Sequence, residues 1–165
     1  MSLALPPGAR CFADANILVY HFVRAGERSD MCSAFLERVA SGELLTYTTA
    51  LAVSEAIHKV MLTEALTHCP PGRRPMAHLQ ASPEHVRALS LFPAAADELP
   101  KIGLEVLPVP LEAWREVTSV SLEYGLLTND ACTIALMRRH QITHLVTNDD
   151  DFDAVIGITV WKPRP

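Results

Sequence analysis

The first strand-to-helix junction of the chain reads Cys11-Phe12-Ala13-Asp14-Ala15-Asn16. Residues 10–13 have the length and apolar character of a short strand, and Asp14 ends it. The apolar run Ile17-Leu18-Val19-Tyr20 then opens a helix that we expect to reach about Val23. A carboxylate between two apolar runs is costly unless it has a partner. Asp14 is therefore the first candidate for a functional side chain.

Strand and helix patterns continue to alternate along the rest of the chain. Strands are predicted for residues 10–13, 44–48, 104–109, 145–147 and 158–161. Helices are predicted for residues 31–40 with Ser29 as N-cap, and for 50–66, 83–99, 111–124 and 130–140, with a helical turn at 151–156. Strands that alternate with helices form βαβ units. We therefore expect a three-layer α/β/α fold around a mostly parallel sheet of four to five strands.

The length and composition favour a single domain over residues 1–165, with a core from about residue 10 to residue 162. Residues 69–80 are predicted to form an exposed loop, because Pro70-Pro71-Gly72-Arg73-Arg74-Pro75 cannot continue a helix. No apolar run is long enough to span a membrane. The four cysteines are scattered without a Cys-x-x-Cys pair, which favours reduced thiols in a cytoplasmic protein and no zinc site.

The formal net charge of −5 argues against a broad phosphate-binding surface. It does not exclude an enzyme that acts on nucleic acid, because a concentrated acidic site changes sign locally when it binds divalent cations. Two arginine pairs, Arg73-Arg74 and Arg138-Arg139, are candidates for guiding phosphate toward such a site. Solvated surface charge is the alternative interpretation of either pair.

Acidic residues lie where apolar segments run into loops or helices. They are Asp14, Glu55, Asp130 and Asp149, with Asp151 just beyond the last, and Thr-Asn-Asp occurs twice, at 128–130 and 147–149. Ligand sites of open parallel sheets lie beyond the carboxyl ends of the strands. We therefore expect these acids to converge there. Taken singly, each has another interpretation, such as a first-turn helix acid or a solvated turn.

Carboxylates that converge must be compensated. Two of them about 5 Å apart cost roughly 3 kcal/mol at an effective dielectric near 20. We expect no lysine beside these motifs, although an arginine could fold in, so a divalent cation is the simplest counter-charge. Oxygen ligands select hard ions, which favours Mg²⁺ or Mn²⁺ over Zn²⁺. Such ions activate water and neutralise phosphate in the hydrolysis of phosphate esters.

The acidic motifs, taken in order, resemble those of PIN-domain nucleases, most closely the small toxins of the VapC type. The resemblance covers about residues 10 to 162 and rests on Asp14-Ala15-Asn16, Ser54-Glu55, Asp130-Ala131 and the segment Thr147-Asn148-Asp149-Asp150-Asp151-Phe152. It implies a PIN-like fold and a ribonuclease that acts on single strands and leaves 5′-phosphate products.

The same resemblance implies roles for individual residues. Asp14, Glu55, Asp130 and Asp149 are the implied metal-binding and catalytic acids, and Asp151 is a further acid in or beside the site. Asn16 and Thr147 match polar positions that orient carboxylates or water. The implied partners are an RNA substrate, a cognate antitoxin and a second copy of the chain in a homodimer.

Other functions remain open from the sequence. The protein is also compatible with an RNA-processing PIN nuclease outside a toxin pair, or with an inactive PIN-like module that binds RNA or protein. A phosphatase or receiver-type phosphoacceptor built on Asp14 is a further alternative. Such sites usually need a lysine late in the chain, where Lys162 is the only one.

Overall fold

The computed structural model describes residues 3–24 and 26–164, and within them it contains a five-stranded, all-parallel sheet. The strands are β1 (Arg10–Ala13), β2 (Leu45–Thr49), β3 (Glu105–Leu107), β4 (His144–Val146) and β5 (Thr159–Trp161). They lie in the order β3-β2-β1-β4-β5. The predicted α/β class with a parallel sheet of four to five strands is confirmed.

The register of the central strands aligns their carboxyl ends. Phe12 lies opposite Tyr47 of β2 and Leu145 of β4, and Ala13 lies opposite Val146. The chain connects β1 to β2 on one side, and β4 lies on the other side of β1, so the order of connection reverses between β1 and β4. In open α/β sheets this switch point leaves a crevice at the carboxyl edge.

Helices cover both faces of the sheet. They are α1 (Ala15–Val23), α2 (Glu27–Ala40), α3 (Ala50–His68), α4 (Pro75–Ala81), α5 (Pro83–Arg87), α6 (Leu91–Glu98), α7 (Trp114–Tyr124) and α8 (Thr128–Arg139). Short 3-10 turns cover 99–101, 111–113 and 151–154.

The alternation of side chains along β1 divides the core between the two faces. Cys11 and Ala13 point into one apolar cluster, which contains buried residues of α1, α2 and α3. Phe12 points into the other, with buried residues of α7 and α8 and with Phe152. This arrangement is the predicted three-layer α/β/α architecture, because successive side chains of a strand face opposite sides of the sheet.

The exposed loop predicted for residues 69–80 is wrong in its second half. Pro75 starts α4, in which His78 and Leu79 are buried. Leu79 packs with Ala65 of α3 and with Leu89, and together they form a small third cluster. Pro75 was predicted to prevent a helix, but it occupies the first turn of α4, where a missing N–H group is harmless.

The single helix predicted for residues 83–99 is also wrong. Ser82 caps a short α5, as expected, but the chain breaks after Arg87 and starts again at Leu91 as α6. Pro93 lies in the first turn of α6, and a proline is tolerated there but not in a helix interior. Ser29 is likewise not the N-cap of α2, because that helix begins two residues earlier, after Gly26.

In the part of the chain that the structure describes, the helices are too short or too polar for any of them to cross a lipid bilayer.

Candidate active site

Asp14 lies at the carboxyl end of β1 and caps α1. Its backbone N–H donates to the carbonyl oxygen of Val146 at 3.0 Å, which ties the strand end to β4. Its Oδ1 accepts from the N–H of Ala15 at 2.6 Å, as an N-cap carboxylate does. Burial raises the pKa of Asp14, hydrogen bonds from Thr147 and Ala15 lower it, and the charge of Glu55 raises it again. The net pKa is raised, so the carboxylate is held in a place that disfavours its charge.

The hydroxyl of Thr147 joins the first motif to the last. This fully buried side chain donates to Oδ2 of Asp14 at 2.7 Å, and it accepts from Nδ2 of Asn16 at 2.8 Å and from the N–H of Asp149 at 3.0 Å. Asn16 donates to Asp14 as well, and its Oδ1 accepts from the N–H of Asn148 at 3.1 Å. The side chains of Thr147 and Asn16 therefore orient the carboxylate of Asp14. The same Thr147 hydroxyl also fixes the segment that carries Asp149.

The three consecutive aspartates after β4 have different surroundings. Asp149 lies half-buried beside Thr147, and its Oδ1 accepts from the N–H of Asp151 at 3.0 Å. Asp150 turns away and pairs with Lys162 at 2.6 Å and with Arg164. Asp151 is exposed but close enough to raise the pKa of Asp130. Lys162, the lysine that a receiver-type site on Asp14 would require, is thus paired with Asp150 and Asp153.

Asp130 shows that the acids converge. It lies in the first turn of α8, whose N-terminal end faces the carboxyl edge of the sheet. The pKa of its carboxyl is raised to about 6, first by burial and then by the charges of Asp14, Asp149, Glu55 and Asp151. The charges of Asp14 and Asp149, which follow strands, and of Glu55, in the second turn of α3, therefore act on Asp130 at the start of α8.

Glu55 lies in the second turn of α3 and has two donors that were not expected. Lys59, one turn later on the same helix, contacts Oε1 through Nζ at 2.6 Å. Asn129 of α8 donates to Oε2 at 2.8 Å. Burial alone would raise the pKa of Glu55, but these hydrogen bonds outweigh it and the pKa is lowered.

The expectation that no lysine lies beside the acidic motifs is therefore wrong. Burial opposes the charge of Lys59, but Glu55, Asp14 and Asp130 together raise its pKa. The signal was present in the sequence, since a glutamate followed four residues later by a lysine is a standard helical ion pair. The contact of Asn129 with Glu55 had no comparable signal in the sequence, because the two residues are 74 positions apart in the chain.

An open cleft of about 460 Å³ adjoins the acids. It is lined by Glu55, Leu127, Thr128, Asn129 and Asp130. The side chain of Leu127 is largely exposed, so the cleft offers an apolar surface beside carboxylate and amide groups. Such a cleft can receive an extended ligand next to the acids.

The acids fit a hard divalent cation by donor type and by charge. Their donors are all oxygen, and the pKa values of Asp14 and Asp130 are raised first by burial and then by the neighbouring acids. Across residues 3–24 and 26–164, however, no three His, Cys, Asp or Glu side chains are already arranged as a metal site. Both oxygens of Glu55 have other partners. The side chains must therefore move closer together to hold a cation.

The structure does not bring the arginine pairs to the acids. Arg138 and Arg139 end α8, about 12 Å along the helix from Asp130, and they pair with Glu123 at 3.3 Å and Glu112 at 3.6 Å. This end of α8 lies at the amino edge of the sheet. The evidence is that Arg10, at the start of β1, donates to the carbonyl oxygen of His140, the residue that follows Arg139.

Arg73 and Arg74 follow the C-terminal end of α3, about 20 Å along that helix from Glu55. The side chain of Arg73 donates to the carbonyl oxygen of Ala77 in α4, the helix that follows it. Each pair lies at or beyond the far end of a helix whose N-terminal part carries an acid, and the role of these arginines in guiding phosphate stays a prediction.

Solved structures with similar folds include several toxin–antitoxin proteins. The chain aligns with VapBC2 from Rickettsia felis bound to a promoter DNA fragment (TM-score 0.59, 14% identity, 93% of this chain and 98% of that chain). It also aligns with the sarcin–ricin loop cleaving toxin VapC20 of Mycobacterium tuberculosis (0.58, 18%, 88% and 95%). A toxin–antitoxin complex from Klebsiella pneumoniae aligns with a TM-score of 0.53 at 13% identity, over 93% and 98% of the two chains. At these identities the similarity is one of fold.

A search of curated protein sequences gave no significant match. The family model of the PIN domain, in contrast, matches residues 11–157, which include the acids at 14, 55, 130 and 149. The match covers most of the chain, and the fold and the order of the acidic motifs agree with it. The chain belongs to the PIN domain family.

Proposed function

We propose that the protein is a Mg²⁺- or Mn²⁺-dependent endoribonuclease that hydrolyses phosphodiester bonds of RNA. The observation that carries the proposal is the proximity of Asp14, Glu55 and Asp149 to Asp130, whose pKa is raised to about 6 by burial first and by these neighbouring charges second. Acidic side chains gathered beyond the carboxyl ends of parallel strands, with oxygen as the only donor type, suit divalent cations and phosphate-ester hydrolysis.

The proposed roles follow from the contacts. Asp14, Glu55, Asp130 and Asp149 would hold the cation, and Asp151 would add negative charge at the rim. A bound cation supplies an activated water and neutralises charge on the phosphate. Thr147 and Asn16 keep the Asp14 carboxylate in one orientation, so that the site does not have to order it when a substrate arrives.

The cleft beside the acids is the proposed place for RNA. Its exposed Leu127 offers a flat apolar contact for a base, and Thr128 and Asn129 offer polar groups. Single-stranded RNA suits such a site, because unpaired bases can be splayed onto side chains.

The consecutive pair Asp149 and Asp150 provides a matched test. Asp149→Asn removes an acid of the proposed site, and Asp150→Asn removes a neighbouring acid that pairs with Lys162 and Arg164 instead. We expect RNA cleavage in Mn²⁺ or Mg²⁺ to be lost in Asp149→Asn and in Asp14→Asn, and to persist in Asp150→Asn. Unchanged cleavage in Asp14→Asn would reject the assigned site.

The proposed biological setting is a type II toxin–antitoxin pair in the cytoplasm. It is supported by the resemblance of the acidic motifs to VapC-type toxins and by similarity in fold to proteins solved as toxin–antitoxin complexes. The proposed partners are a cognate antitoxin and a second copy of the chain. Expression of the protein alone should arrest growth, and co-expression with the product of a neighbouring small gene should relieve the arrest. Light scattering of the purified protein tests the dimer.

One observation favours a second candidate, an inactive PIN-like module that binds RNA or protein. Glu55 is engaged by Lys59 and Asn129, and a permanent engagement would abolish metal binding. Tight RNA binding without cleavage at millimolar Mn²⁺ would select this candidate. Cleavage without growth arrest would instead select an RNA-processing nuclease.

A further inference from the structure

Lys59 lies inside the acidic site rather than on an ordinary helix surface. Its ammonium group is 2.6 Å from Oε1 of Glu55, and half of its side chain is exposed. Asp14 and Asp130 also act on its charge, although they belong to other elements. The ammonium group of Lys59 therefore pairs with Glu55, close enough to the other acids of the cluster to feel their charge.

Each carboxylate oxygen of Glu55 already has one donor. Lys59 contacts one oxygen, and the amide of Asn129 donates to the other at 2.8 Å. A divalent cation on either oxygen would lie close to the ammonium group, and like charges at that separation repel strongly in a partly buried site. Glu55 can therefore serve the lysine or a metal ion well, but not both at once.

We propose that Lys59 is a built-in competitor for the divalent cation: its ammonium group holds Glu55 in the metal-free protein and is displaced when Glu55 turns to a bound ion. The inference rests on the proposed function, which assigns Glu55 to the metal. Lys59 is thus a positioning residue that acts through Glu55. It stabilises the metal-free cluster and lowers the affinity of the site for the cation.

The test measures Mn²⁺ binding by calorimetry on the full chain, without RNA. In Lys59→Met the competitor is removed, so we expect the dissociation constant for Mn²⁺ to fall about two- to fivefold, the scale of one partly exposed ion pair. Lys59→Arg keeps the positive charge and should stay near the wild-type value. An unchanged or weaker affinity in Lys59→Met, including no binding by either protein, overturns the inference.

Lys101 provides the matched control. It pairs with Glu98 at 2.8 Å on the surface, three residues apart on consecutive helical turns, so Lys101→Met makes the same change in net charge outside the site. We expect its Mn²⁺ affinity to equal that of the wild type. If Lys101→Met gained as much Mn²⁺ affinity as Lys59→Met, the change in net charge would explain both gains, and the inference would also be overturned.

A second measurement separates competition from a purely structural role. Without metal, Lys59→Met leaves the acids uncompensated, so its melting temperature should be lower than that of the wild type. Saturating Mn²⁺ should raise its melting temperature by more than it raises that of the wild type. A purely structural lysine would give the same metal-induced rise in both proteins, and that result would contradict the inference.

The inference and the proposed function fail in different ways. If the wild type cleaves no RNA while Lys59→Met binds Mn²⁺ more tightly, the ribonuclease is rejected and the role of Lys59 stands. If the wild type cleaves RNA while the two proteins bind Mn²⁺ equally, the ribonuclease stands and the role of Lys59 is rejected.

Discussion

Two glutamates of α3, Glu55 and Glu64, are placed in opposite situations. They are nine residues apart, about two and a half turns, so they lie on roughly opposite sides of the helix. Glu64 is buried, and its carboxylate accepts from the N–H groups of Ser90, Leu91 and Phe92 at 2.6 to 3.1 Å. Glu55 is half-buried and is compensated by Lys59 and Asn129 among other acids.

The comparison separates a carboxylate that stabilises the fold from one that is available for chemistry. Glu64 has backbone donors at the start of α6, where the helix dipole also favours a negative charge. Those N–H groups belong to the backbone, so they cannot move away from Glu64 without unfolding the start of α6. Glu55 has mobile side-chain donors in a cluster whose remaining acids repel it. Its partners can therefore be exchanged for a cation or a substrate.

The largest expected effect is on cleavage. Glu55→Gln removes one charged ligand of the proposed site, and the loss of several kcal/mol of transition-state stabilisation corresponds to a decrease in cleavage rate of about a hundredfold or more. Steady-state cleavage of a labelled RNA in Mn²⁺ is the measurement. Glu64→Gln, assayed below its melting temperature, should cleave at the wild-type rate. Equal losses in the two variants would break the comparison.

The next effect is on stability. Glu64→Gln weakens charge-assisted bonds to backbone donors at the start of α6, and we expect it to lower the free energy of unfolding by about 1.5–3 kcal/mol. Urea denaturation of the metal-free protein measures the change. Glu98→Gln, on the exposed surface of α6, is the control and should change stability little. A stable Glu64→Gln protein would show that the cap is dispensable.

The contributions of Glu64 and of Asp130 in the acidic cluster to stability should change with pH in opposite directions. Backbone hydrogen bonds to Glu64 outweigh its burial and hold its folded pKa below 4.5. Its stabilisation is therefore present above pH 4.5 and is lost as the pH falls through the folded pKa. The destabilisation caused by Glu64→Gln should accordingly shrink as the pH is lowered below about 4.5.

Asp130, in the acidic cluster, behaves in the opposite way. Burial and the neighbouring acids raise its folded pKa to about 6 from 3.8. Its favourable contribution is therefore present below pH 3.8 and is lost as the pH rises through about 6. Asp130→Asn should raise the melting temperature of the metal-free protein at pH 7.5 and have little effect below pH 4. A melting temperature that falls at pH 7.5 would contradict the repulsion inferred at the site.

The smallest expected effect concerns the arginine pairs. Arg138 and Arg139 lie at the far end of α8 in surface ion pairs, and Arg73 and Arg74 follow the far end of α3. Alanine at either pair should therefore change the cleavage rate by no more than about twofold at moderate salt. A flatter salt dependence of RNA binding in either double variant would restore the phosphate-guiding role first expected for it.

The fold was largely readable because its signals are local. The apolar strand before Asp14 and the turn-forming Gly125 after α7, with a φ of 71°, each act over a few residues of chain. Two of the errors in the predicted helices arose at prolines. Pro75 and Pro93 each stand in the first turn of a helix, but the first was taken as part of a loop and the second as part of a longer helix.

The prediction of Asp14, Glu55, Asp130 and Asp149 as site residues rests on their positions after strand ends or in the first turns of helices. The alignment of parallel strands brings such positions to one edge. Lys59 could have been recognised from its four-residue spacing to Glu55. It was overlooked because the acids were treated as a set from distant segments, without their own helical neighbours.

Local spacing and composition thus determined the α/β class, the parallel sheet and the acids at its edge, because helix and strand preferences depend on neighbouring residues. Only the tertiary structure decided which donors each carboxylate meets. Thr147 reaches Asp14 across 133 residues, Asn129 reaches Glu55 across 74, and the α6 amides reach Glu64 across 26 to 28. These contacts depend on how the helices pack on the sheet, and packing is a property of the whole core rather than of any segment.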